Sequence, residues 1–243
     1  MESPLGEWHV VPDLEVLSRT AANELCKVLS NAIAARGKAS FVLSGGKTPR
    51  PLYTMLAGEF RETIDWSKID FFWGDERYVP PEHEASNFGF ARGALLQPLN
   101  ISPDRIHRMP TESGDPANAA LSYERHLQEY FGSSECSFDL LLLGMGADGH
   151  VASLFPGSPA LQEKNRLVVV TNAPATPVTR LSLTFRALNA ASTVMILVAG
   201  SEKREILTWI ERSEHRKTFP ISRVTARNRL LWYVDQAASG TAP

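Results

Sequence analysis

Short, almost continuously apolar runs recur along the chain, and this recurrence constrains the fold more than any other feature of the sequence. A strand with one face in water alternates apolar and polar residues, whereas a strand covered on both faces is apolar throughout. The pattern therefore predicts an α/β fold with a single doubly wound, mostly parallel sheet and helices on both faces. The predicted strands span residues 39–43, 69–73, 138–143, 167–171, 180–184, 193–198 and 230–234.

Segments with helical spacing separate these runs. Residues 14–36 place apolar side chains at helical intervals, with Asp13 as a candidate N-cap and Gly37 just past the end. No internal repeat, low-complexity tract or Gly/Ser linker divides the chain, so we expect one domain over residues 1–243. Further helices are predicted after Thr48 and Ser201, each an expected N-cap, and near residues 87–97 and 117–130.

Charge and cysteine content exclude several classes of protein. The 243 residues include 25 basic and 27 acidic ones, a net charge of −2 that offers no positive field to nucleic acid or a membrane surface. No apolar run approaches the ~20 residues of a membrane-spanning helix, and the N-terminus lacks the pattern of a signal peptide. Neither Cys26 nor Cys136 belongs to a C-x-x-C pair. We expect a cytoplasmic protein in which Cys26 is a reduced, buried thiol.

The loop after the first apolar run, SGGKTP (44–49), combines two glycines with a helix start. In an open parallel sheet, ligands bind beyond the carboxyl ends of the strands, where such loops gather. Backbone N–H groups in this turn can hold a phosphate at the helix N-terminus. An ordinary strand-to-helix turn is the alternative, and the spacing of a Walker P-loop is absent.

The loop after the second run, GDERYVP (74–80), places two carboxylates beside an arginine. Arg77 can present its planar guanidinium to a phosphate or carboxylate. Asp75 can hold that guanidinium in place or bind sugar hydroxyls. A surface cluster of salt bridges is the alternative.

The loop GMGADGHVASLFPG (144–157) follows the apolar run 138–143 and contains a histidine. A neutral imidazole at His150 can accept a proton from water, and Asp148 can fix its tautomer or orientation. The G-x-G-x-x-G spacing does not indicate a dinucleotide site, because no acidic residue ends the next strand. No metal-ligand spacing is found for His9, His83, His107, His126 or His215.

Two cations in the C-terminal half are candidate anion contacts. Lys203 lies in the first turn of a predicted helix, where the helix dipole disfavours a cation unless an anion binds nearby. Glu202 offers a local ion pair as the alternative. Arg180 opens a predicted strand and is either a solvated strand end or a second anion contact.

Taken together and in order, these loops resemble those of the 6-phosphogluconolactonase family, which hydrolyses a phosphosugar lactone in the oxidative pentose phosphate pathway. The resemblance covers residues from about 10 to 235, and the joint match is more specific than any one loop. It is carried by the segments LSGGKTPRPLY (43–53), FFWGDERYVP (71–80), SNFGFAR (86–92), FDLLLLGMGADGHVASLFPG (138–157), TRLSLTFRALNAA (179–191) and LVAGSEK (197–203).

The resemblance implies hydrolysis of 6-phospho-D-glucono-1,5-lactone to 6-phospho-D-gluconate without a metal or an organic cofactor. His150 would take a proton from the attacking water and return it to the ring oxygen, with Asp148 beside it. Backbone N–H groups around Gly146, or a nearby cation, would stabilise the oxyanion. The substrate-binding residues implied are Ser44, Gly45, Gly46, Thr48, Asp75, Arg77, Asn87, Gly146, Arg180 and Lys203.

Other functions stay open at this point. A deaminase or isomerase of the same superfamily is one, although the deaminase carries an Asn-Glu-Pro element where this chain reads VASLFP (151–156). A phosphosugar sensor without turnover is another. A serine nucleophile is disfavoured because Ser44 and Ser153 lack a G-x-S-x-G elbow. We expect a monomer, but the sequence fixes neither the oligomeric state nor the division of phosphate binding among Arg77, Arg180 and Lys203.

Overall fold

The structure is a computed structural model that describes residues 6–211 and 218–240. His215 lies outside the described residues. In the part that is described, no helix is both long and apolar enough to cross a membrane.

The strands of the described residues are β1 (Glu7–Val11), β2 (Ala39–Leu43), β3 (Ile69–Trp73), β4 (Asp75–Arg77), β5 (Leu140–Gly144), β6 (Val168–Asn172), β7 (Thr179–Leu183), β8 (Thr193–Val198) and β9 (Arg229–Asp235). Six of them are parallel and form the central sheet, in the order β1-β9-β8-β5-β2-β3. Strands β2, β3 and β8 are buried along their whole length, which requires cover on both faces. The predicted fold class is therefore confirmed.

The remaining strands form a second, antiparallel sheet in the order β4-β7-β6. The runs predicted at 167–171 and 180–184 therefore belong to this small sheet and not to the parallel one. Gly74 joins the two sheets, because its N–H donates to Leu43 O of β2 and its carbonyl accepts from Leu183 N of β7. The prediction of a loop at 74–80 misses β4, which is only three residues long.

Edge strand β1 was also absent from the sequence prediction. It pairs in parallel with β9, and Trp8 stacks on Trp232 with ring centroids 4.8 Å apart. Its exposed and half-buried residues reflect its position at the edge of the sheet. The continuous apolar run that identified the buried strands does not occur in such an edge strand.

Helices flank the parallel sheet, and the cap residues define where they begin and end. Asp13 accepts a hydrogen bond from Val16 N and Gly37 is left-handed at the C-cap, as predicted. Thr48 occupies the N-cap of its helix without a side-chain hydrogen bond. The helices are α1 (Leu14–Arg36), α2 (Pro49–Ala57), α3 (Asn87–Ala91), α4 (Pro116–Phe131), α5 (Phe185–Leu188), α6 (Arg204–Glu211) and α7 (Gln236–Ser239).

Ser201 is not the N-cap that the sequence predicted. A short 3-10 helix, Ser201–Lys203, precedes α6, and Gly200 holds the cap position with a φ of 100°. The Gly200 N–H donates to the buried carboxylate of Asp235, so a contact distant in sequence fixes this turn. Cys26 is buried and free, in agreement with the prediction, and burial raises its pKa to about 11.

Candidate active site

A cleft of about 720 Å³ opens at the carboxyl edge of the parallel sheet. The loops after β2, β3 and β5 meet there because parallel strands direct their carboxyl ends to the same edge. The structure brings every predicted site residue to its walls: Ser44, Gly45, Gly46, Thr48, Asp75, Arg77, Asn87, Gly146, Asp148, His150, Arg180 and Lys203.

His150 and Asp148 form a hydrogen-bonded pair on one wall of this cleft. His150 Nδ1 lies 2.5 Å from Asp148 Oδ1, and the same oxygen accepts from the backbone N–H of His150. Burial opposes ionisation of Asp148, but the hydrogen bonds from His150 outweigh it, so the pKa of Asp148 lies below its ordinary value. An ionised Asp148 accepts a hydrogen bond from Nδ1–H, which keeps the proton on Nδ1 and leaves Nε2 with the lone pair that a general base needs.

Gly146 lies directly against this pair, and a Cβ there would overlap the His150 ring and the Asp148 carboxylate. Its backbone N–H donates to His150 O at 3.0 Å. That hydrogen bond occupies one of the backbone donors around Gly146 that the sequence suggested for an oxyanion. Gly146 itself therefore supports the loop, and the cations of the cleft are further candidates for the oxyanion.

Ser153 ties the histidine loop to the next wall of the cleft. Its side chain is buried, its Oγ donates to Asp75 Oδ2 at 2.6 Å, and its N–H donates to Ser182 Oγ. Ala152 just before it is left-handed, with a φ of 49°, a conformation that residues with a Cβ rarely adopt. The hydroxyl thus bonds a carboxylate and not His150, which argues against a serine nucleophile. Sequence reasoning missed this contact because no motif marks it.

The glycine turn also lines the cleft. Gly46 has a φ of 96°, which a side chain would disfavour. The buried Tyr53 hydroxyl accepts from Ser44 N and donates to Ser44 O, so helix α2 holds the start of the loop. Thr48, whose side chain makes no cap bond, faces the same cleft. Tyr53 is a supporting residue that the sequence did not single out.

Arg77 and Arg180 lie opposite each other in the antiparallel pairing of β4 and β7. Arg180 is only 8% exposed, which excludes the solvated strand end considered from the sequence. Burial, together with the positive charge of Arg77, lowers the pKa of Arg180, against the opposing charges of Asp75 and Glu76. Among the described residues, the buried Nε atoms of both arginines find no hydrogen-bond partner. Two guanidiniums held together in this way attract an anion with two or more charges.

Asn87 and Lys203 complete the polar lining. Asn87 Nδ2 donates to Asp75 O, while its buried Oδ1 lacks a partner within the described ranges. Lys203 Nζ lies 3.9 Å from Glu202 Oε1, a loose ion pair that leaves the ammonium able to bind another anion. In residues 6–211 and 218–240, no group of three or more His, Cys, Asp or Glu side chains is close enough to hold a metal ion.

Comparison with known proteins decides the family. Residues 12–232 match the family model described as glucosamine-6-phosphate isomerases/6-phosphogluconolactonase. The chain belongs to this family. Because the match covers all three loops of the cleft, the resemblance read from the sequence is confirmed.

Members of the family named 6-phosphogluconolactonase are similar along almost the whole chain. The one from Nostoc sp. is 41% identical, over 95% of both chains, and the one from Synechocystis sp. is 42% identical, over 86% of this chain and 87% of its own. A crystal structure of 6-phosphogluconolactonase from Thermotoga maritima superposes with a TM-score of 0.83 at 32% identity and covers 94% of this chain and 99% of its own.

Proposed function

We propose that this chain hydrolyses 6-phospho-D-glucono-1,5-lactone to 6-phospho-D-gluconate, in the oxidative pentose phosphate pathway. The observation that carries the proposal is that one cleft is lined by an oriented imidazole and by two arginines whose buried Nε atoms lack a partner among the described residues. A phosphorylated ester needs both: a cation cluster for its dianion and a base for the attacking water. The names of the relatives support the same substrate.

In this proposal, the 6-phosphate binds between the glycine turn and the cations of the cleft. Backbone N–H groups of Gly45, Gly46 and Thr48 lie at the start of α2, where a phosphate is favoured. Arg180 supplies the main charge, since its buried guanidinium has an unmatched donor. Arg77 contributes less, because its Nη1 already donates to Ala85 O at 2.7 Å. Lys203 lines the same cleft and is a third candidate cation.

His150 then acts as the general base. Its Nε2 takes a proton from water as the water oxygen attacks the lactone carbonyl. The tetrahedral intermediate collapses, the bond to the ring oxygen breaks, and the imidazolium returns its proton to that oxygen. Asp148 stabilises the imidazolium during this step and keeps Nδ1 protonated. A cation of the cleft stabilises the oxyanion.

Lactone hydrolysis fits this cleft better than deamination. The superfamily deaminase is expected to have a glutamate in its Asn-Glu-Pro element, where this chain has Ser153, Leu154 and nearby apolar residues. Ser153 is buried against Asp75 and offers no acid for ring opening. A cyclic ester needs only a base and an oxyanion partner, so the proposal includes no metal. The proposal also keeps the cytoplasmic location that the sequence led us to expect.

A coupled assay tests the proposed function. Glucose-6-phosphate dehydrogenase generates the lactone in place, and its disappearance is followed with and without this protein in a buffer that contains a chelator. We expect the lactone to disappear well above its spontaneous rate, with no loss of rate on chelation. Binding of 6-phosphogluconate without any acceleration would instead identify a sensor, and ammonia release from glucosamine 6-phosphate would identify a deaminase.

A further inference from the structure

Glu76 lies between two residues of the cleft but faces away from it. In β4, Asp75 and Arg77 are half-buried and line the cleft, while Glu76 between them is only 3% exposed. Successive side chains of a strand point to opposite faces, so this carboxylate enters the protein interior. An interior carboxylate without a role is costly, which makes its partners informative.

Four donors surround the Glu76 carboxylate. Oε1 accepts from Arg77 N at 2.8 Å and from Asn87 N at 2.7 Å. Oε2 accepts from Phe88 N at 2.7 Å and from Ser86 Oγ at 3.2 Å. Three of these donors belong to the start of α3, whose first turn contains no acidic residue of its own. The carboxylate thus fixes where α3 begins.

The first residue of α3 is Asn87, which connects this buried carboxylate to the glycine turn. A Cβ on Gly45 would overlap the Asn87 side-chain amide, so the two residues are in close contact. The amide is held from the other side by Asp75 O, which accepts from Nδ2 at 2.9 Å. A shift of α3 would therefore move Asn87 against, or away from, the turn that we propose binds phosphate.

The charge on Glu76 matters for this contact. Burial raises its pKa to about 7, and the charge of Asp75 acts in the same direction, while the three backbone N–H groups lower it. Arg108 and Arg180 are among the cations whose charges interact with that of Glu76. An ionised carboxylate accepts from all four donors, whereas a protonated one directs an O–H toward groups that also donate.

We propose that Glu76 is a positioning residue of the phosphosugar site, whose carboxylate fixes the start of α3 and so holds Asn87 against Gly45 of the glycine turn. The inference rests on the proposed function only in taking the cleft to bind a phosphosugar. It assigns Glu76 no contact with substrate, so its removal weakens ligand binding more than it slows the chemical step at His150.

The test compares Glu76→Gln with Glu124→Gln. Glu124 is a matched control, because its Oε2 also accepts from two backbone N–H groups, of Leu167 and Val168, but it lies outside the cleft. Calorimetry with 6-phosphogluconate measures Kd, and the coupled assay measures kcat. For Glu76→Gln we expect Kd to rise about tenfold or more, which corresponds to the net contribution of roughly one hydrogen bond to binding. We expect kcat to stay within about threefold of its value in the unmodified chain. For Glu124→Gln we expect neither to change beyond about twofold.

Two further measurements separate positioning from general loss of stability. In an Asn87→Ala background, Glu76→Gln should add little to Kd, because the residue through which it acts is gone. The Kd of Glu76→Gln divided by the Kd of the unmodified chain should also fall toward one as the pH is lowered from 8 to 6. The reason is that the Glu76 carboxylate of the unmodified chain takes up a proton over this range. The titration of the ligand's own phosphate cancels in that ratio.

An unchanged Kd for Glu76→Gln, or an equal rise for Glu124→Gln, would overturn the inference. If Glu76→Gln does not fold, Ser86→Ala removes one donor to Glu76 and the cap of α3, and an unchanged Kd in that variant would overturn it equally. The proposed function fails separately: the unmodified chain would then bind 6-phosphogluconate or inorganic phosphate without hydrolysing the lactone, and the binding comparison would still be readable.

Discussion

Two aspartate–histidine pairs lie at opposite edges of the parallel sheet, and they differ in exposure and in their hydrogen-bond partners. Asp148 and His150 follow β5 at the carboxyl edge, with their side chains 44% and 31% exposed in the cleft. Asp70 lies near the amino end of β3, 4% exposed, with His107 beside it at 13%. The first pair is open to a ligand, whereas the second is enclosed.

The enclosed pair has its hydrogen bonds nearly complete. Asp70 accepts from Tyr130 at 2.6 Å and from Arg105 at 3.1 Å, and its Oδ1 lies 3.4 Å from His107 Nε2. His107 Nδ1 lies 2.8 Å from His126 Nε2. Every polar atom that would act on a substrate is thus engaged with the protein itself.

This difference shows how a reactive pair can be distinguished from a structural one: in a reactive pair, at least one polar atom that could act on a substrate has no hydrogen-bond partner in the protein. In the open pair, Asp148 is hydrogen-bonded to one ring nitrogen of His150, and the other ring nitrogen has no partner among the described residues. In the enclosed pair, both ring nitrogens of His107 have neighbours, and the ring stacks on Phe72 at 4.5 Å. The same two residue types therefore serve chemistry at one edge and stability at the other.

The largest expected effect separates the two histidines. His150→Ala should lower kcat for the phosphorylated lactone by roughly 10²–10⁴, since the general base is lost, with little change in thermal midpoint. His107→Ala should keep kcat and lower the free energy of unfolding by about 1–3 kcal/mol, because buried partners lose a hydrogen bond. Steady-state kinetics and denaturant titration measure both. Turnover near normal in His150→Ala would remove that residue from the mechanism.

The second-largest expected effect separates the arginines at the two edges of the sheet by their influence on KM. Arg180→Ala should raise KM for the phosphorylated lactone by roughly 10–100-fold, the size of a charge-assisted hydrogen bond, and leave unphosphorylated gluconolactone little affected. Arg77→Ala should act in the same direction by less. Arg105→Ala, which removes a partner of Asp70, is the control and should leave KM unchanged. An equal loss on both lactones would contradict the phosphate assignment.

Acid should weaken the enclosed pair through Asp70. Burial opposes ionisation of Asp70, but hydrogen bonds from His107, Tyr130 and Arg105 outweigh it and lower its pKa to about 2. Because the folded pKa lies below the unfolded one, the stabilisation is present above about pH 4 and is lost as pH falls toward 2. It should amount to about 2 kcal/mol in full, of which about 1 kcal/mol is lost by pH 3. Denaturant titrations at pH 6 and pH 3 should show this loss in the unmodified chain and not in Asp70→Asn.

The smallest expected effect concerns His126. Burial and the neighbouring His107 lower its pKa, against the charge of Glu129. Because the folded pKa lies below the unfolded one, the unfolded chain takes up the proton first as the pH falls. The free energy of unfolding therefore decreases as the pH falls through the unfolded pKa. Between pH 8 and pH 5.5, the unmodified chain should lose a few tenths of a kcal/mol more than His126→Gln. An equal loss in both chains would show that this histidine does not titrate against folding.

Much of the site was predictable because it depends on local pattern and parallel topology. Each of the loops at 44–49, 74–80 and 144–157 follows an apolar run, and parallel strands bring such loops to one edge. Asp148 and His150 are two residues apart in a glycine-rich turn, so their pairing needs only local geometry. The fold class followed from the same apolar runs.

What only the tertiary structure decided depends on contacts between residues far apart in the chain. Gly74 joins β2 to β7 and so creates the small sheet, which buries Arg180 opposite Arg77 and turns Glu76 inward. Ser153 reaches Asp75 across 78 positions. Apolar periodicity reports which faces are covered but not which polar side chains meet beneath them, because those pairings follow from how the two sheets pack.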